Sequence, residues 1–122
     1  MLVIKSYLTA GVIPGYTIVK PGGTAYTVVA AAAAADKAIG VSADVDAASG
    51  ERQDIIALGE AKVVAGAAFT AGDLLMSDAS GRAVAAAAAA GTNVRTVGYA
   101  VQAASALGDI CEIMVQPGVF QG

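Results

Sequence analysis

The 122-residue chain falls in the range of a single domain; it is 57% hydrophobic, but 30 of those residues are alanine and 39 are larger, so its core is thin. Only 14% of residues are charged, against roughly 25% in soluble domains, which favours a chain that lives in an assembly. The net charge is −3 with no basic run, there is no histidine, and Cys111 is the only cysteine; these exclude a phosphate-binding stripe and an internal disulfide and remove the commonest general base and metal ligand.

The opening stretch, residues 1–11, is too short an apolar run for a secretory leader. No window approaches the ~20 apolar residues of a membrane helix without glycine or charge. The expectation is a soluble, unprocessed chain made inside a cell. Residues 1–8 read as an extended segment with apolar groups on both faces. Val3, Lys5 and Tyr7 fall on one side and Leu2, Ile4, Ser6 and Leu8 on the other. One face covers the core; the other is either covered within the domain or meets a neighbouring subunit.

Ile13-Pro14-Gly15 signals a turn, and residues 16–20 form a strand. Residues 21–24 turn the chain again, and residues 25–29 return as the second arm of a hairpin. The alanine runs 30–35 and 85–90 are either a helical turn or an irregular connection, since six residues are too few for an independent helix. A strand over 38–44 carries Gly40 in its interior, which marks a bulge or a close backbone approach. The next strand covers 53–58 and ends at Gly59; a separate strand, 60–65, is broken by Gly66. Gly72 and Gly81 mark two turns around a strand at 74–76, with 83–84 as its return. Residues 94–102 and 109–115 close the pattern, and Pro117-Gly118 ends it.

Short segments with turns at regular intervals define an all-β fold, a small barrel or sandwich with at most one or two short helical turns. The stretch Leu58–Asp78 joins two halves that resemble each other. Gly40 and Gly98, Gly50 and Gly108, and Ile55 and Ile113 are each spaced by 58. With a small slip, Gly15 falls on Gly72 and Gly23 on Gly81. The expected organisation is one domain, 1–122, built of two similar β modules at about 11–59 and 60–118, with terminal arms 1–8 and 118–122.

No catalytic constellation emerges. Asp44, Asp46, Glu51, Asp54, Asp73 and Asp78 flank glycine-rich turns, where acidic residues bond their own backbone. The spacing of a calcium loop is missing. No cofactor and no metal are expected, and the chain is read as a non-enzyme. Lys62 allows a biotinyl or lipoyl carrier reading, in which a lysine sits at a hairpin tip, but the residues around it lack the carrier context. Cys111, between Ile110 and Glu112, reads as a small core residue.

The ordered motifs carry a resemblance. They are Pro14 to Val19, Ile39 to Val45, Ala48 to Glu51, Leu58 to Val63, Thr70 to Asp78, Ser80 to Val84, and Val97 to Val101. Together they resemble the capsid cement, or head decoration, proteins of tailed bacteriophages, over roughly Gly11 to Pro117. The resemblance implies a structural virion protein on the outer surface of the capsid, made in the host cytoplasm. It also implies the major capsid protein and copies of itself, as a homotrimer, for partners; neither nucleic acid nor membrane is among them. The competing readings are the carrier domain and a β-rich tail or fibre subunit. The apolar termini nominate Met1, Leu2, Val3, Ile4, Tyr7, Val119 and Phe120 as partner contacts. Removal of residues 1–7 is then expected to cost binding more than folding.

Overall fold

The computed structural model describes residues 2–121 apart from 88, 89 and 92. Among the described residues there is no helix. Nine strands form the chain: β1 (Val3–Thr9), β2 (Ile18–Pro21), β3 (Thr27–Ala30), β4 (Gly40–Ser42), β5 (Arg52–Val64), β6 (Leu74–Ser77), β7 (Ala83–Ala85), β8 (Asn93–Ala100) and β9 (Ile110–Gln121). They join in the order β1-β3-β2-β4-β5-β9-β8-β6-β7, and a further pairing of β1 with β5 closes the first five into a barrel.

The long strand β5 belongs to both halves of the chain. Its first part pairs with β1 and β4, and its second part, Gly59 to Val64, pairs with β9. Alternation sets its facing. Gln53, Ile55, Ala61 and Val63 point inward and are buried, while Arg52, Asp54, Glu60 and Lys62 are exposed. Gly59 does not end a strand as its residue type suggests. It adopts φ 109°, a conformation available to glycine, and β5 runs through it.

The two halves share one wiring. The pairings β2–β3, β2–β4 and β4–β5 recur as β6–β7, β6–β8 and β8–β9, all antiparallel. The register recurs as well: Val41 faces Ile56 and Ser42 faces Ile55, as Tyr99 faces Met114 and Ala100 faces Ile113. Gly40 and Gly98 occupy matching sites for a steric reason. A Cβ on Gly40 would strike the carbonyl oxygen of Ile56, and one on Gly98 would strike that of Met114.

The slip in the glycine pattern has a structural cause. Val19 faces Gly40 where Leu75 faces Gly98, so Tyr16 takes the place of Gly72, and both have positive φ (59° and 91°). Pro21 faces Val28 where Ser77 faces Ala83, so Tyr26 at φ 60° takes the place of Gly81 at φ 75°. Glycine matching alone had aligned Gly15 and Gly23 instead. Two tyrosines hold backbone conformations that glycine normally fills.

Several elements differ in extent from expectation. Of the two alternatives for the first alanine run, residues 31–37 take the irregular connection, held by the ion pair of Lys20 and Asp36 at 3.1 Å. The second alanine run falls partly outside the described residues; Ala85 ends β7 and Ala90 lies in a turn. Pro117 does not end β9, because the strand continues on β8 alone through Arg95–Val119 and Val94–Phe120. The stretches expected as terminal arms therefore lie largely in paired strands: 3–9 in β1 and 118–121 in β9.

The core is split. Ile13, Val19, Val28 and Ile55 fill the first barrel with Tyr7 and Ile39 packed against them. A larger cluster holds Phe69, Leu75, Val97, Cys111, Ile113 and Val115 of the second half, and takes in Ile18 and Val41 from the outer face of the first. The halves are also tied by backbone bonds: Ile18 N–H donates to Gly81 O at 2.8 Å, and Arg95 N–H to Ala34 O at 2.9 Å.

Candidate partner-binding surface

Four of the six carboxylates expected at turns build them, while Asp54 lies exposed within β5. Asp46 accepts from Gly15 N–H at 2.8 Å, Glu51 from Ala48 N–H at 2.7 Å, and Asp73 from Thr70 N–H at 3.0 Å. Asp78 accepts the N–H groups of Ser80 and Arg82 and pairs with the Arg82 guanidinium at 3.0 Å. The backbone N–H of Ala32, with help from Lys20, holds the Asp36 carboxyl below its ordinary range. The N–H and hydroxyl of Ser105 do the same for Asp109. The Cys111 thiol is pushed up by burial and by the charge of Asp109, so it is not an activated nucleophile. Among the described residues, no group of three or more Cys, Asp or Glu is placed to hold a metal. Lys62 stands within β5, near its C-terminal end, opposite Glu112 on β9, whereas the carrier reading requires a hairpin tip.

What the surface offers is apolar. Leu2 and Ile4 are 57% and 52% exposed, at the end of β1 that lies across the middle of β5. Val3 faces Leu58 and Ile4 faces Ile56, with a register shift between them. Beside it opens a groove of about 470 Å³ lined by Leu2, Gly59, Glu60 and Met114. Val3 is half-buried, and Tyr7 packs on the first core cluster and serves the fold. Met1 lies outside the described residues.

Val119 and Phe120 belong to a different strand pair. Val119 is 58% exposed opposite Arg95, and Phe120 is half-buried opposite Val94. The structure thus places Leu2, Val3, Ile4 and Tyr7 on the β1–β5 pair and the C-terminal two on the β8–β9 ribbon. Since β1 pairs with β5 from Val3 to Leu8, deletion of residues 1–7 also takes away most of the strand that closes the barrel and is expected to cost folding as well as binding. The sequence reading missed Tyr26, which it put inside the return strand. The structure starts that strand at Thr27 and leaves Tyr26 on the hairpin tip.

The described residues thus form an all-β architecture that exposes apolar side chains on two separate strand pairs. Among solved structures, the N base of the head fibre gp8.5 of bacteriophage phi29 shares the fold. It superposes with a TM-score of 0.69 over 95% of each chain, at 21% identity. No curated protein matches the chain at a significant level. The family of phage cement proteins matches over residues 12–116, and the chain belongs to that family. It is a structural protein of a phage virion.

Proposed function

We propose that the chain binds the outer face of the phage capsid and cements contacts between major capsid protein subunits, acting as a homotrimer without catalysis or cofactor. The match to the phage cement family over 12–116 carries this reading. The low charge and the exposed Leu2, Ile4 and Val119 are consistent with it, since each supplies apolar area that a partner can cover. Burial of such area stabilises by roughly 25 cal/mol per Å². Weak contacts repeated around a trimer reinforce each other, because the second and third bind at high effective concentration. Leu2, Val3, Ile4, Val119 and Phe120 are the proposed contacts, with Tyr7 supporting β1 from beneath.

Co-sedimentation with undecorated heads of the cognate phage tests the reading. Saturable binding is expected, along with heads that withstand heating better than bare ones. Failure to bind those heads removes it. Sedimentation of the free protein tests the trimer separately.

A further inference from the structure

The tip of the β2–β3 hairpin carries the most exposed large hydrophobic side chain among the described residues. Tyr26 is 84% exposed, on a backbone at φ 60°. A bulky L-residue in the left-handed region costs roughly 1–2 kcal/mol, and such strain persists only where its surroundings enforce it. The second half shows the relaxed solution at the matching site, where Gly81 adopts φ 75°. The first half therefore keeps a strained tyrosine where glycine suffices to turn the chain.

The surroundings do enforce it. Gly22 N–H donates to Thr27 O at 2.8 Å, and Thr27 N–H to Thr24 O at 3.3 Å. The Thr27 hydroxyl donates to Thr24 O at 2.6 Å, which leaves the Thr24 hydroxyl to donate to Thr27 Oγ1 at 3.3 Å. The Tyr26 carbonyl accepts Leu8 N–H at 3.1 Å, fixing the tip to β1. Leu8, bonded to Tyr26 through the backbone, is itself exposed. This is a rigid knob: an aromatic side chain with two rotatable bonds on a stapled loop, which loses little freedom when a partner encloses it.

We infer that Tyr26 is the anchor by which the closed barrel docks on the capsid, its ring entering an apolar pocket of the assembled capsid protein and its hydroxyl bonding a polar group at the pocket wall. The inference rests on the capsid-binding function proposed above. Tyrosine is among the residues that dominate interface energetics when enclosed in a pocket. No packing inside the chain accounts for a ring this exposed.

Tyr26→Gly separates this role from folding, because it removes the ring and the strain together. The thermal midpoint is expected to rise by roughly 3–6 °C, while affinity for undecorated heads falls roughly tenfold or more. The sedimentation mass of the free protein is expected to stay as in wild type. Tyr26→Phe is expected to keep most of the affinity and the wild-type midpoint. Wild-type protein that binds heads alongside a Tyr26→Gly variant that binds equally well overturns the anchor and leaves the cement function standing. Wild-type protein that does not bind heads removes both. A Tyr26→Gly variant that loses self-association places the knob between copies and overturns the capsid contact. A lowered midpoint shows that Tyr26 serves the fold, and overturns it as well.

Discussion

The two halves share strand order, register and turn positions, yet they hold themselves together differently. The first is a closed barrel: β1 pairs in parallel with β3 through Leu8–Thr27 and Thr9–Val28, and in antiparallel with β5 from Val3 to Leu8. The second is joined between β5 and β7 by the isolated bridge Ala65–Ala83. Their interiors differ to match. The first half uses buried polar pins. The Thr9 hydroxyl reaches Ala48 O at 2.7 Å, Ser42 Oγ donates to Pro14 O at 2.8 Å, and Gln53 Nε2 donates to Val45 O at 2.6 Å. At the matching sites the second half has Ala65, Ala100 and Cys111, and only Cys111 retains a bond, to Ala103 O at 3.5 Å. Hydrogen bonds reinforce the small apolar cluster of the first barrel, whereas the second half relies on Phe69, Leu75 and a core shared with its neighbour. A duplicated skeleton tolerates two ways of filling its interior as long as every buried polar side-chain atom has a partner, and among the described residues none lacks one.

The largest expected effect breaks the feature the halves share. Gly98→Ala drives a methyl group into the Met114 carbonyl, and Gly40→Ala into that of Ile56. Each is expected to destabilise by about 3 kcal/mol or more in urea unfolding. Loss at one site only would show that the halves are not equivalent at their tightest contact. Next come the matched core residues. Phe69→Ala is expected to cost about 3–5 kcal/mol and Ile13→Ala about 2–5 kcal/mol. Both are buried and bridge matching loops, to Ala104 and Ala47.

The polar pins sharpen the contrast. Gln53→Ala leaves the Val45 carbonyl without its donor and is expected to cost about 1–3 kcal/mol. Cys111→Ala removes a weak sulfur donor and is expected to cost less, by the same unfolding measurement. Gly72→Ala meets no neighbouring atom, so its expected cost of about 1 kcal/mol is left-handed strain alone.

The smallest effect is on pH. Asp36 and Asp109 have carboxyls held below the ordinary value of 3.8, so both bind fewer protons in the folded state. Their contribution is fully present above that value and is lost as pH falls through the lowered folded values. Stability is therefore expected to be level from about pH 5 to 8, where no histidine titrates, and to decline below about pH 4. Asp36→Asn and Asp109→Asn are each expected to shrink the acid decline in thermal melts across that range.

The all-β class, the β2–β3 hairpin and the close approach at Gly40 were legible in the sequence, because turn residues and alternation are local signals. Three features were not. Gly59 reads as a stop, but a glycine can also sit inside a long strand that changes partners, and only the partners on each side decide which applies. Pro117 lacks an N–H to give, yet β9 has only β8 beside it there, and pairing on one side tolerates the loss. Tyr16 and Tyr26 carry no sequence mark of positive φ, so matching by glycine slid the halves out of register. At the surface, exposure of Leu2, Ile4 and Val119 followed from apolar termini. The match of Tyr26 to Gly81 comes only from the strand pairing, since matching by glycine puts Gly23 there.

The unbroken course of β5 has a mechanical consequence. Thirteen residues in extended form span about 40 Å, and no linker separates the portion in the closed barrel from the portion paired with β9. The two halves cannot swivel as beads on a string. For any partner gripped at both ends, the molecule is a ruler of set length whose load path is a single covalent backbone. Tension along it shears the flanking rows of hydrogen bonds together instead of unzipping them one by one.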